Sequence, residues 1–107
     1  MTNLANIARD SEGFLSSLDD WTPEIAKALA REEGITLSPA HWEVLNLLRA
    51  FYQEYDLSPA MRIFVKHCKE NLGEEKGTSI YLLGLFPESP AKLASKIAGL
   101  PKPTNCL

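Results

Sequence analysis

The chain has 107 residues, 45% of them hydrophobic and 23% charged, with a formal net charge of -3. That length holds one domain with one modest core, and the acidic balance argues against general affinity for nucleic acid. No apolar run approaches the roughly 20 residues of a membrane helix, and Met1–Ala5 lacks the basic and apolar regions of a signal peptide; a cytoplasmic protein without membrane association is expected.

In chain order, the first pattern lies in residues 1–21. The turn-rich stretch Arg9-Asp10-Ser11-Glu12-Gly13 separates two short apolar-containing runs. It predicts a small β-hairpin, which needs helices to pack against because two strands alone are marginal.

Four helix starts then share one signature, a hydroxyl residue followed by proline: Thr22-Pro23, Ser38-Pro39, Ser58-Pro59 and Ser89-Pro90. The hydroxyl caps free backbone donors, and proline at the first helical position loses no hydrogen bond. A first helix is predicted over about Pro23 to Glu33, with Ile25, Ala26, Leu29 and Ala30 as its apolar face. A second runs from about Pro39 to Tyr55. Its apolar residues cover most of its circumference, which predicts a central, buried helix with Trp42 in the core.

A third helix is expected from about Pro59 to Leu72. Met61, Phe64, Val65, Cys68 and Leu72 form a core stripe, so Cys68 reads as a buried, inert thiol. Arg62, Lys66 and Lys69 form a second stripe, either a solvated face or a partner-docking surface. Gly73-Glu74-Glu75-Lys76-Gly77 is a polar loop without the spacing of a phosphate-binding loop. A short helix from about Thr78 to Leu85 offers Ile80, Leu82, Leu83 and Leu85 to the core. A last helix runs from about Pro90 to Ala98, with Leu93, Ala94 and Ile97 inward.

The ending Pro101-Lys102-Pro103-Thr104-Asn105-Cys106-Leu107 differs in kind. Two prolines exclude helix and central strand and favour an extended rod. The bland reading is a tolerant chain end; the functional one is a semi-rigid arm with a thiol at its tip. Residues 1–56 carry ten acidic and four basic side chains, whereas beyond Glu88 there are only Lys92, Lys96 and Lys102. These lysines are expected to surround the arm with positive charge, favouring thiolate over thiol, or to dock a partner.

Cys68 and Cys106 make neither a disulfide framework nor a metal motif. His67, directly beside Cys68, points about 100° away from it on a helix and makes a poor chelate. No metal and no organic cofactor is expected.

The stretch from Pro90 to Leu107 resembles the C-terminus of the TusE/DsrC family. So do Leu37-Ser38-Pro39-Ala40-His41-Trp42-Glu43-Val44, Ser58-Pro59-Ala60-Met61-Arg62, Gly73-Glu74-Glu75-Lys76-Gly77, Gly13-Phe14-Leu15 and Trp21. The resemblance implies a mainly α fold: one small domain of about five helices over residues 1–99, with a short N-terminal hairpin. A flexible arm then covers residues 100–107. It implies that Cys106 carries sulfur as a persulfide. The branch associated with dissimilatory sulfite reductase has a second arm cysteine eleven residues before the last, and here that position is Ser95. This favours the TusE branch. Its members take sulfane sulfur from the cytoplasmic Tus relay complex and pass it to the tRNA 2-thiouridylase, for 2-thiolation of the wobble uridine. That is sulfurtransferase chemistry with no independent turnover expected. Asn105 stands where many relatives have glycine.

Two alternatives stay open from sequence. One is a DsrC-like partner of dissimilatory sulfite reductase. The other is a nucleic-acid-binding module. Only Asp56-Leu57-Ser58 joins the second and third helices, a helix-turn-helix-like connection, although the net charge disfavours stable direct binding.

Overall fold

The structure, a computed structural model, describes residues 4–104. Five α-helices follow in order: α1 (Pro23–Glu32), α2 (Pro39–Tyr55), α3 (Met61–Leu72), α4 (Ser79–Leu85) and α5 (Pro90–Ile97). Single 3-10 turns at Leu4–Asn6 and Leu18–Asp20 precede them. No described helix is long and apolar enough to cross a membrane.

The helix starts follow from the capping chemistry. Thr22 Oγ1 accepts the Ile25 N–H at 3.1 Å, and Thr78 Oγ1 accepts the Tyr81 N–H at 3.1 Å. Each such cap stabilises its helix by about 1 kcal/mol. At α2 the partner is His41, in the position a glutamate holds in an ordinary capping box. His41 Nδ1 accepts the Ser38 N–H at 3.0 Å, while Nε2 donates to the Leu85 carbonyl at 2.8 Å. These bonds define a neutral tautomer and pin α2 to the end of α4. Pro23, Pro39 and Pro90 each open their helices as expected.

Ser58-Pro59 does not. α3 begins at Met61, and its N-cap is Ala60 without a side-chain cap. The Ser58 hydroxyl donates instead to the Pro101 carbonyl, a tertiary bond that removes it from capping. The connection between α2 and α3 is therefore residues 56–60, longer than a three-residue turn.

The predicted hairpin reduces to one antiparallel bridge, Arg9 with Leu15. Asp10 holds the turn through its side chain, which accepts the N–H groups of Glu12 and Phe14 at 2.9 and 3.0 Å. Arg9 donates to both Glu32 carboxylate oxygens, at 2.6 and 3.1 Å, and ties the loop to the end of α1. On either side of this short pairing the chain enters the 3-10 turns at Leu4–Asn6 and Leu18–Asp20, so the ladder extends no further.

Ile25, Leu29, Val44, Leu45, Leu48, Phe64, Cys68, Leu82, Phe86 and Ile97 form the middle of the core. Each large side chain fully buried there stabilises the fold by about 1.5–3 kcal/mol. The expected core of α4 is corrected: Leu82 is fully buried, but Ile80 is 83% and Leu83 41% exposed. A seven-residue helix on the edge of the domain buries one narrow stripe only. The central element is likewise not α2, whose far end leaves Tyr55 exposed. It is the short α5, which packs against each of the other four helices. Small residues make this possible: Ala91, Ala94 and Ser95 let neighbouring helices approach closely.

Candidate functional site: the exit of the C-terminal arm

The helix that organises the core is also the one from which the arm leaves. The last carbonyls of any α-helix lack intrahelical partners, and here distant side chains take them. Trp21 Nε1–H donates to the Ile97 carbonyl at 2.9 Å. Arg49 Nη1–H donates to the Ala98 carbonyl at 2.7 Å. The Arg49 guanidinium also lies 3.9 Å from the centroid of the Trp21 ring, a cation–π contact. Indole and guanidinium thus brace each other while each holds one carbonyl.

Gly99 follows, at φ +75. It turns the chain under the indole, so close that a Cβ there would lie 2.4 Å from Trp21 Cδ1. Glycine is required twice over, for the left-handed backbone and for the space. The Leu100 N–H then returns to the Ser95 carbonyl at 2.9 Å, closing the helix end. Leu100 itself is buried.

Beyond Leu100 the chain is still seated. Ser58 holds the Pro101 carbonyl, Pro101 and Lys102 are exposed, Pro103 is buried and Thr104 is exposed. The first part of the expected arm, residues 100–104, thus keeps contact with the domain. Pro101, Lys102 and Thr104 form one wall of a shallow groove, and Tyr52, Asp56, Leu57 and Ser58 form the other. Cys106, the thiol expected to carry sulfur, lies outside the described residues.

The three lysines expected to charge the arm are offset by carboxylates. Lys102 Nζ lies 3.0 Å from Glu12, Lys92 Nζ 3.2 Å from the same carboxylate, and Lys96 Nζ 3.0 Å from Glu33. Lys102 first, and Lys92 second, hold the Glu12 carboxyl below its ordinary pKa. Exposed pairs of this kind add little stability; their consequence is that Glu12 and Glu33 offset most, though not all, of the charge of the three lysines. Arg62, Lys66 and Lys69 sit elsewhere, exposed on α3, and none has an ion pair among the described residues.

Cys68 is fully buried in the core, as the stripe predicted. Burial pushes its thiol up to about 11, so it is protonated and unreactive at neutral pH. Ser95 is also fully buried, and its Oγ has no hydrogen-bond partner. Trp21 and Arg49 were not singled out from sequence as site residues. Their partners are backbone atoms 76 and 49 positions away, and no local pattern announces such a bond.

Together these features define a class of protein: a small helical domain whose chain leaves its last helix through a clamped exit. Comparison with known proteins resolves the family. The family model described as "DsrC like protein" matches residues 1–107. The chain is 55% identical over 105 residues to "Sulfurtransferase TusE" of Sodalis glossinidius, covering 98% of this chain and 97% of that one. It is 52% identical over 101 residues to the Escherichia coli K12 protein of the same name, covering 94% and 93%. Among solved structures, DsrC of Allochromatium vinosum superposes with a TM-score of 0.86 at 48% identity, over 94% of this chain and 90% of that one. The oxidized gamma-subunit of the dissimilatory sulfite reductase (DsrC) of Archaeoglobus fulgidus follows with a TM-score of 0.81 at 39% identity, over 94% and 92%. The chain belongs to the DsrC-like family.

Proposed function

We propose that this chain is a sulfur-relay protein in which Cys106 accepts and hands on sulfane sulfur. It is a sulfurtransferase in the broad sense, a carrier within a chain of transfers. The observation that supports the reading is the clamped exit. Trp21, Arg49 and Ser58 fix the course of the chain through Pro101, five residues before the thiol. A thiol on such an extension reaches into a partner's pocket, which a buried cysteine such as Cys68 cannot do.

The transfer balances without an external oxidant or reductant. The Cys106 thiolate attacks the outer sulfur of a donor persulfide. The donor's S–S bond breaks, the donor cysteine leaves as thiolate, and a Cys106–S–SH persulfide forms. The proton stays on the transferred sulfur. Onward transfer repeats the exchange, with the acceptor's cysteine thiolate as nucleophile and Cys106 as leaving group. The positive field expected from Lys92, Lys96 and Lys102 is weakened, because Glu12 and Glu33 pair with them.

In the finer reading the donor is the cytoplasmic Tus complex and the acceptor the tRNA 2-thiouridylase with its tRNA, which places the protein in the cytoplasm. Ser95 supports this assignment over a DsrC-like partner of sulfite reductase, since a buried serine offers no second thiol.

Intact-protein mass spectrometry after incubation with the persulfide-charged donor complex tests the reading. A reducible gain of one sulfur is expected in wild type and Cys68→Ser, and its loss in Cys106→Ser. A gain retained in Cys106→Ser overturns it.

A further inference from the structure

One face beside the arm remains without a role. At the end of α2 and the start of α3, Tyr55, Leu57 and Ile63 are each about half exposed, at 52, 50 and 49%. They border an open groove of about 430 Å³ that Phe51 and His67 also line. The Phe51 ring meets Tyr55 at 4.6 Å and His67 at 4.9 Å between centroids, so the aromatic floor is packed and preformed. Apolar side chains clustered at a surface mark a contact site more often than scattered ones do.

We propose that this face docks the protein that donates sulfur to Cys106, a partner whose contact surface is an apolar ridge rimmed by acidic side chains. The inference rests on the carrier reading and adds where the partner sits. Three observations converge on it. The first is reach. Cys106 is two residues beyond Thr104, and two residues span at most about 7 Å. A partner cysteine that meets the thiol must therefore come close to the groove in which Thr104 lies.

The second is continuity. Leu57 lines both the arm groove and the apolar groove. A standard interface buries about 800 Å² on each partner, far more than the arm groove alone offers, so a docked partner extends beyond it.

The third is charge, which selects the direction of that extension. Across the arm, Glu12, Lys92, Lys96, Lys102 and Glu33 satisfy one another. On the α3 side, Arg62, Lys66 and Lys69 are exposed and have no ion pair among the described residues. Lys66 and Glu70 line the groove itself, and with Arg62 and Lys69 beside it the exposed surface of α3 is basic on balance; an apolar centre with a charged rim is the anatomy of a protein interface, and a basic surround fits an acidic one. The exposed aliphatic residues Leu57 and Ile63 disfavour nucleic acid, which offers them no apolar partner along its backbone.

The test uses the full chain and two sulfur sources, the persulfide-charged donor complex and sodium polysulfide. The variants are Ile63→Glu, which lies outside the arm groove, and Lys66→Glu combined with Lys69→Glu. Transfer from the donor complex should slow roughly tenfold or more in each. Added salt, which should slow transfer to wild type by screening the attraction, should speed transfer to the charge-reversed variant. Loading by polysulfide and the melting temperature should stay at wild-type values. Donor-dependent transfer at the wild-type rate in both variants overturns the inference. So does a loss confined to the charge-reversed variant that tracks weaker tRNA retention on filters, which makes the face an RNA contact. A wild-type dimer that Ile63→Glu converts to monomer, with transfer unaffected, assigns the face to a second copy and also overturns it. Failure of wild type to load from either source removes the carrier reading, and this inference with it.

Discussion

Gly99 and Trp21 are in such close contact that no side chain fits between them: a Cβ on Gly99 would lie 2.4 Å from Trp21 Cδ1. The same glycine holds a left-handed backbone, φ +75. Gly99→Ala therefore meets both a conformational penalty and a clash, and should destabilise the protein by roughly 2–4 kcal/mol. Thermal unfolding should show it directly. Trp21→Phe keeps the aromatic body and removes the N–H that holds the Ile97 carbonyl. It should cost about 1–2 kcal/mol and, unlike Gly99→Ala, leave the backbone at residue 99 unstrained.

Ser58→Ala separates two roles for one hydroxyl. As an arm anchor, Ser58 donates to the Pro101 carbonyl, and its loss should cost about 1 kcal/mol. Hydrogen exchange should rise at the Leu100 amide while the amides of α3 stay protected. Faster exchange confined to the first turn of α3 would return the residue to a capping role.

Acid should loosen the seat of the arm. Lys102 and then Lys92 depress the pKa of Glu12. A depressed folded pKa means that the stabilisation is complete above the ordinary carboxylate range, near about 4.3, and is lost as pH falls through the folded value. The Lys102 side-chain resonances should therefore be flat through neutral pH and move only below that range. In Glu12→Gln that acid transition should be absent. A transition near pH 6 would assign the contact to a different group.

The two thiols should react very differently. Burial raises the Cys68 pKa to about 11. Iodoacetamide at pH 8 should place one label on the folded chain, at Cys106, and a second only in denaturant. Rapid double labelling of the native protein would contradict the buried assignment of Cys68.

Most of the fold could be read from the chain because its signals are local. Thr22-Pro23 and Ser38-Pro39 mark helix starts through bonds made within one turn, Pro90 marks one through its fixed φ at the first helical position, and the stripe through Phe64 and Cys68 marks an inner face through period alone. The departures have one physical origin, a distant partner that overrides a local preference. Ser58 has the sequence of a cap but bonds to Pro101, 43 residues on. Lys92 and Lys102 look like an isolated positive patch until Glu12, 80 and 90 residues earlier, is brought against them. Ile80 and Leu83 have core composition, but an edge helix with only Leu82 turned fully inward leaves them in solvent. The ending points to Cys106 only through its resemblance to a family, and nothing in it discloses the clamp behind it.

That clamp has a consequence for how the molecule stores its instructions. The atoms held at the exit are the carbonyl oxygens of Ile97, Ala98 and Pro101, which every amino acid possesses. The groups that hold them belong to residues 21, 49 and 58. The course of the chain through Pro101 is therefore written largely in the first two-thirds of the sequence. Grafting residues 100–107 onto the end of an unrelated helix would transplant the thiol without its bearing.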